Sequence, residues 1–169
     1  MRNLLLITIC FTTLFSACVS YYEDGGESVQ PIRTNDYEPV EYARADLDSS
    51  IQLLPAQEIV NSGKIYVINN FLFVNEERKG FHVFDNSDPR NPSKIKFIQV
   101  LGSSDLAVRN NMLYINQATD LIALQYDPLS DKIRLMKRIE NAFPELLSPQ
   151  GYYNRSHKDS LTIDWIEVK

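Results

Sequence analysis

The chain has 169 residues, room for about one domain. It carries 17 Lys+Arg against 22 Asp+Glu, a formal net charge of −5, and an acidic chain makes a poor nucleic-acid binder unless its bases cluster strongly. Hydrophobic residues are 44% and charged residues 23%, ordinary globular usage, which excludes wholesale disorder and a multi-span membrane protein.

The first predicted element is an address. Arg2 supplies a positive start, and Leu4 to Phe15 form an apolar run of 12 residues. A membrane span needs about 20, so the run fits the core of a secretory signal instead. Small residues Ser16 and Ala17 follow, then Cys18. Phe15-Ser16-Ala17-Cys18 resembles the lipobox of bacterial lipoproteins, with Phe15 standing where Leu is usual. The resemblance implies a lipoprotein signal peptide over residues 1–17 and lipidation of Cys18 as the mature N-terminus. Cys10 and Cys18 are the two cysteines, and Cys10 lies inside the run that would be removed. One mature cysteine leaves no intramolecular disulfide, and lipidation accounts for it.

Residues 18–50 read as a lipidated, acidic, flexible tether. Val19 to Ser50 hold eight acids against two bases, with Gly25-Gly26, Pro31 and Pro39 and no sustained period. Ile51 to Lys169 hold fourteen of each sign. Glu23-Asp24-Gly25-Gly26-Glu27 resembles the acidic signal that sends some Bacteroidetes lipoproteins to the outer face of the outer membrane; a plain soluble spacer is the other reading.

The body, residues 51–169, is β. From Gly63 the hydrophobic period is two. Ile65 to Ile68, Asn69-Asn70 and Phe71 to Val74 predict a hairpin, because Asn tolerates the left-handed backbone of a two-residue turn. Strands follow over Phe81 to Asp85 and Lys94 to Val100, separated by turn residues Asn86 to Pro92. The order then recurs. Val67 and Val108, Asn69-Asn70 and Asn110-Asn111, Leu72 and Leu113, and Asn75 and Asn116 each stand 41 residues apart. Asp88-Pro89 returns at Asp127-Pro128, and Lys94-Ile95-Lys96-Phe97 at Lys132-Ile133-Arg134-Leu135. Four strands per roughly 40 residues is the spacing of a propeller blade.

The expected fold is therefore all-β: two propeller-blade-like four-stranded antiparallel repeats, about 64–101 and 105–139, forming an incomplete propeller after an unstructured N-terminal tether. A terminal strand is expected over 160–168, with Leu161, Ile163 and Trp165 inward; it either begins a further blade or covers an open face. Ile65, Val67, Leu72, Val83, Leu106, Val108, Leu113 and Ile122 are the expected core. Lys132, Arg134 and Arg138 opposite Ile133, Leu135 and Ile139, like Lys94 and Lys96 opposite Ile95 and Phe97, read as solvated outermost strands whose charges discourage aggregation. Two open blades leave apolar surface uncovered, so self-association is expected.

Asn61 to Val67, Lys79 to Pro92 and Ser104 to Val108 resemble Bacteroidetes lipoproteins built from LVIVD-type β-propeller repeats. Phe81 to Asp85 matches the namesake strand loosely, and Leu121 to Gln125 lacks its terminal Asp. The resemblance covers about residues 50 to 145 and implies architecture rather than an activity. Members of that family are typically longer.

No catalytic constellation is legible. His82 reads as a packed strand residue and His157 as a loop residue beside Arg155 and Lys158. One mature cysteine and two distant histidines do not make a zinc site. Asp85-Asn86-Ser87-Asp88 has calcium-capable oxygens but lacks the Gly and distal Glu of an EF-hand loop, and Glu76-Glu77 reads as a solvated loop. The expectation is a non-enzymatic binding or interaction lipoprotein of the outer membrane, with no cofactor, no metal and no nucleic-acid partner. Its partners would be the membrane, through the lipid anchor, and an unidentified protein or glycan. Alternatives are a shortened, non-functional fragment of a larger propeller lipoprotein, or a piece of a propeller enzyme.

Overall fold

The computed structural model describes residues 36–154 and 159–168. The signal peptide, Cys18, the acidic cluster at 23–27 and His157 lie outside the described residues. The chain is all-β, in antiparallel sheets that do not close on themselves. In chain order the strands are β1 (Tyr37–Ala43), β2 (Gln52–Pro55), β3 (Ser62–Ile68), β4 (Phe71–Glu76), β5 (Gly80–Asp85), β6 (Ser93–Gln99), β7 (Leu106–Arg109), β8 (Met112–Gln117), β9 (Asp120–Asp127), β10 (Lys132–Ile139) and β11 (Ser160–Glu167), with one 3-10 turn at Arg44–Asp46.

The first blade is a five-stranded sheet, β2-β6-β5-β4-β3, and the second a four-stranded sheet, β10-β9-β8-β7. Both expected repeats are present. Their first hairpins turn on asparagines: Asn69, Asn110 and Asn111 have φ of 53°, 50° and 59°. Gly80 opens β5 at φ 148°, where a Cβ would overlap the Ile98 carbonyl oxygen of the neighbouring strand.

The two blades stack face to face around one core. Phe73, Phe81, Val83 and Ile98 of the first meet Leu106, Leu113, Ile115, Ile122 and Leu124 of the second. This packing has a direction. Alternation puts Tyr66, Phe73 and Val83 on one face of blade 1, its trailing face, and Ile65, Val67, Val74 and His82 on the other, its leading face. In blade 2 the leading-face residues Leu106, Val108 and Leu113 are the ones turned toward blade 1.

That direction corrects the expected core. Val83, Leu106, Leu113 and Ile122 are buried, and Leu72 and Val108 are half-buried. Ile65 and Val67 are 63% and 65% exposed. They match Leu106 and Val108 across the 41-residue repeat, but no blade precedes theirs among the described residues.

The expected tether ends too late. Residues 36–50 are built into the body: β1 pairs antiparallel with β11, and Leu47 is 1% exposed. Three of the acids that suggested a solvated linker have specific partners: Asp36 with Gln150, Glu41 with Asn154 and Asp48 with Arg138. With β1, β11 forms a separate two-stranded ribbon. Ile163 on that ribbon is buried, while Leu161 and Trp165 are half-buried.

The outermost strands also differ from expectation. β2 pairs with β6, so Lys94 and Lys96 lie on an internal strand, and Lys96 pairs with Asp131 at 2.5 Å. In β10 a bulge between Leu135 and Lys137 shifts the register. It sets Arg138 opposite Ile122 and leaves Ile139 46% exposed, reversing the expected faces for both residues.

Candidate functional site

Blade 2 presents its trailing face away from the core, where a following blade would stack. A half-open cleft of about 700 Å³ lies there. Ala107, Tyr114 and Leu121 form its floor, and Phe143, Leu146 and Ile163 contribute its walls. The matching trailing residues of blade 1 are Tyr66, Phe73 and Phe81, which fill the core. Smaller side chains at two of three matched positions leave the hollow.

Both sides of the cleft are fixed before any ligand arrives. Asn116 Oδ1 accepts the N–H groups of Ser104 at 3.0 Å and Asp105 at 2.8 Å, and its amide nitrogen donates to Ser104 Oγ at 3.2 Å. On the opposite side Phe143 N–H donates to Thr119 O at 2.8 Å, and Trp165 Nε1 donates to Leu146 O at 3.1 Å. Tyr152 packs edge-on against Trp165, ring centres 5.5 Å apart. Arg78, Asp105 and Glu145 add charge to a largely apolar lining.

Asp105 also joins the blades. Its Oδ1 accepts from the Tyr66 hydroxyl at 2.5 Å and its Oδ2 from Lys64 Nζ at 2.5 Å. Tyr66 OH in turn accepts the Leu106 N–H at 3.2 Å. Burial, with the Asp105 hydrogen bond second, pushes the Tyr66 phenol up to about 12. Lys64 and then Tyr66 hold the Asp105 carboxyl below the ordinary aspartate range.

The histidine with a described environment is structural in its contacts. His82 is fully buried, its ring tilted against Phe97 with centres 4.8 Å apart, and its Nε2 donates to Glu76 Oε2 at 3.0 Å. Glu76 is not in a solvated loop: it is 3% exposed and accepts the N–H groups of Val60 at 3.0 Å and Asn61 at 2.7 Å. Burial pushes its carboxyl up, but His82 and those two N–H groups outweigh it and hold it below the ordinary glutamate range. The reason for this pair lies in the topology. β2 and β3 sit at opposite edges of one sheet, so residues 56–61 cross the leading face as a strap. Lys94 Nζ holds one end through the Gln57 carbonyl, and Glu76 holds the other.

Asp85 and Asp88 form local turns. Asp85 Oδ1 accepts from Ser87 N–H at 2.9 Å and Ser87 Oγ at 2.6 Å, and Asp88 Oδ1 accepts from Arg90 N–H at 3.1 Å. Among the described residues no group of three or more His, Cys, Asp and Glu could hold a metal ion. The cleft residues carry no motif. Their signal in the sequence is Ala107 and Leu121 standing where the first repeat has Tyr66 and Phe81. The chain matches no protein-family model, no curated protein and no solved structure.

Proposed function

We propose that this chain is a non-catalytic binding lipoprotein of the outer membrane, anchored by lipid at Cys18, that receives an apolar segment of a partner protein in the cleft on blade 2. The observation that carries the reading is the cleft. Its volume, about 700 Å³, falls within the ~300–1,000 Å³ of ordinary ligand sites, and it combines apolar walls with a few fixed polar groups. The lining favours a protein segment over a bare glycan, because sugar hydroxyls buried without partners lose hydrogen bonds to water. The Ser16-Ala17-Cys18 pattern supports the anchor.

The test uses an apolar fluorescent dye and a library of short apolar peptides on the detergent-solubilised protein, with a glycan array alongside. Ala107→Trp fills the floor from an exposed position on β7. Peptide binding by the wild type, lost in Ala107→Trp with an unchanged circular dichroism spectrum, supports the reading. Binding that survives this variant, or binding by glycans alone, overturns it. Mass spectrometry of the mature N-terminus tests the anchor: diacylglycerol-cysteine is expected, and a free N-terminus at another residue retires it.

A further inference from the structure

The inner edges of the two blades are not alike. β3 and β7 are both edge strands. Each runs into a two-residue turn, which makes Ile68–Phe71 and Arg109–Met112 the hydrogen-bonded pairs closing the hairpins. By alternation, the backbone groups of Ile65 and Val67 in β3, and of Leu106 and Val108 in β7, point to the open edge. In β7 the Leu106 N–H is taken, by Tyr66 OH at 3.2 Å and Asp105 Oδ1 at 2.9 Å. In β3 the outward groups of Ile65 and Val67 have no partner among the described residues.

The side chains of the same two residues are 63% and 65% exposed. An open edge carrying exposed β-branched residues is a template for another strand, and natural edges are commonly guarded by a lysine. The lysine at hand is Lys64, and Asp105 holds it at 2.5 Å.

We infer that β3 pairs antiparallel with β3 of a second copy of this chain, about a two-fold axis at Tyr66, so that Ile65 of each copy faces Val67 of the other. This register is self-complementary, as a closed dimer requires. It satisfies the outward N–H and C=O groups of Ile65 and Val67 in both copies. It sets β-branched side chains opposite one another with no charge between those pairs. The two five-stranded sheets merge into one, and the clefts stay on the separate second blades.

Native mass spectrometry of the detergent-solubilised full chain, joined to hydrogen exchange, tests this. Dimers that grow with concentration are expected, with exchange slowed at the Ile65 and Val67 amides in the dimer. Val67→Pro removes an outward N–H that β4 does not use. The double variant Ile65→Lys with Val67→Lys restores a charged guard at exposed positions. Each should lose the dimer and keep its circular dichroism spectrum, and the lysine pair serves alone if the proline variant fails to fold. A monomer at every concentration overturns the inference. So does a dimer that survives the lysine pair, which places the interface elsewhere. Protection of both amides in a monomer also overturns it, because another segment of the same chain would then occupy the edge.

Discussion

Arg44 reaches across 76 residues of sequence to Asp120: its Nη1 lies 2.9 Å from Asp120 Oδ2. The Asp120 side chain is fully buried, at the start of β9, and Arg138 Nη1 approaches the same oxygen at 2.9 Å. The Asn141 N–H donates to Oδ1 at 3.0 Å. Arg138 continues to Asp48 at 2.6 Å and Gln117 at 2.6 Å, and Gln117 donates to the Leu47 carbonyl at 3.1 Å. One buried carboxylate thus ties residues 44–48 to blade 2.

Asp120→Ala should destabilise the protein by about 3–5 kcal/mol, because it leaves two guanidinium groups without their buried counter-ion. Urea unfolding measures this. A variant as stable as wild type would mean that residues 44–50 are held by other contacts.

Acid should loosen the same region. Burial pushes the Asp120 carboxyl up, but the Asn141 N–H, Arg138 and Arg44 outweigh it and hold it below the ordinary aspartate value of 3.8. Glu76 likewise lies below the ordinary glutamate value of 4.5. A depressed folded-state pKa contributes stability above the ordinary value, and this is lost as pH falls through the folded value. Stability should therefore be flat from neutrality down to about the ordinary carboxylate range and fall below it. Asp120→Asn should flatten part of that fall in pH-dependent urea melts.

Two residues matched by the repeat should respond oppositely to truncation. Leu113 is 4% exposed in the core, and Leu113→Ala should cost about 2–5 kcal/mol. Val67 is 65% exposed, and Val67→Ala should stay within about 0.5 kcal/mol of wild type. Equal losses in urea melts would show that a blade-like neighbour covers Val67 in solution.

Glu76→Gln should cost about 1–3 kcal/mol, since the amide retains one acceptor where the carboxylate served His82, Val60 and Asn61. Hydrogen exchange localises the effect: faster exchange at the Val60 and Asn61 amides, with β8 and β9 unchanged. Uniform acceleration would mean that the strap is not a separate unit.

Tyr66→Phe should cost about 0.5–1.5 kcal/mol by removing the Asp105 and Leu106 hydrogen bonds. In the wild type, ultraviolet titration should show one phenol ionising near 12. Its raised value contributes stability below pH 10 that is lost as pH rises toward 12. A spectrum in which every tyrosine ionises together near 10 would contradict the Tyr66–Asp105 bond.

Strands, hairpins and the repeat were legible in the sequence because they depend on local chemistry. Alternation over Ile65 to Val74 and asparagine at the turns need no distant partner to be read, and the offset of 41 residues carried the second blade over from the first. Which face of a strand finds a neighbour is not local. Ile65 and Leu106 are chemically alike and repeat-matched, yet one is exposed and the other buried, because among the described residues a blade stands beside only the second. Charge misled for the same reason. Arg44 and Asp48 read as solvated linker residues until Asp120 and Arg138 are brought within 3 Å, and a β-bulge invisible to periodicity turns Arg138 toward them. The cleft needs both effects, small side chains on the trailing face and residues 143–147 folded back over them. Strand and turn propensity act between near neighbours in sequence, so they can be read from it. Burial, ion pairing and cavities arise between residues the chain brings together only when it folds.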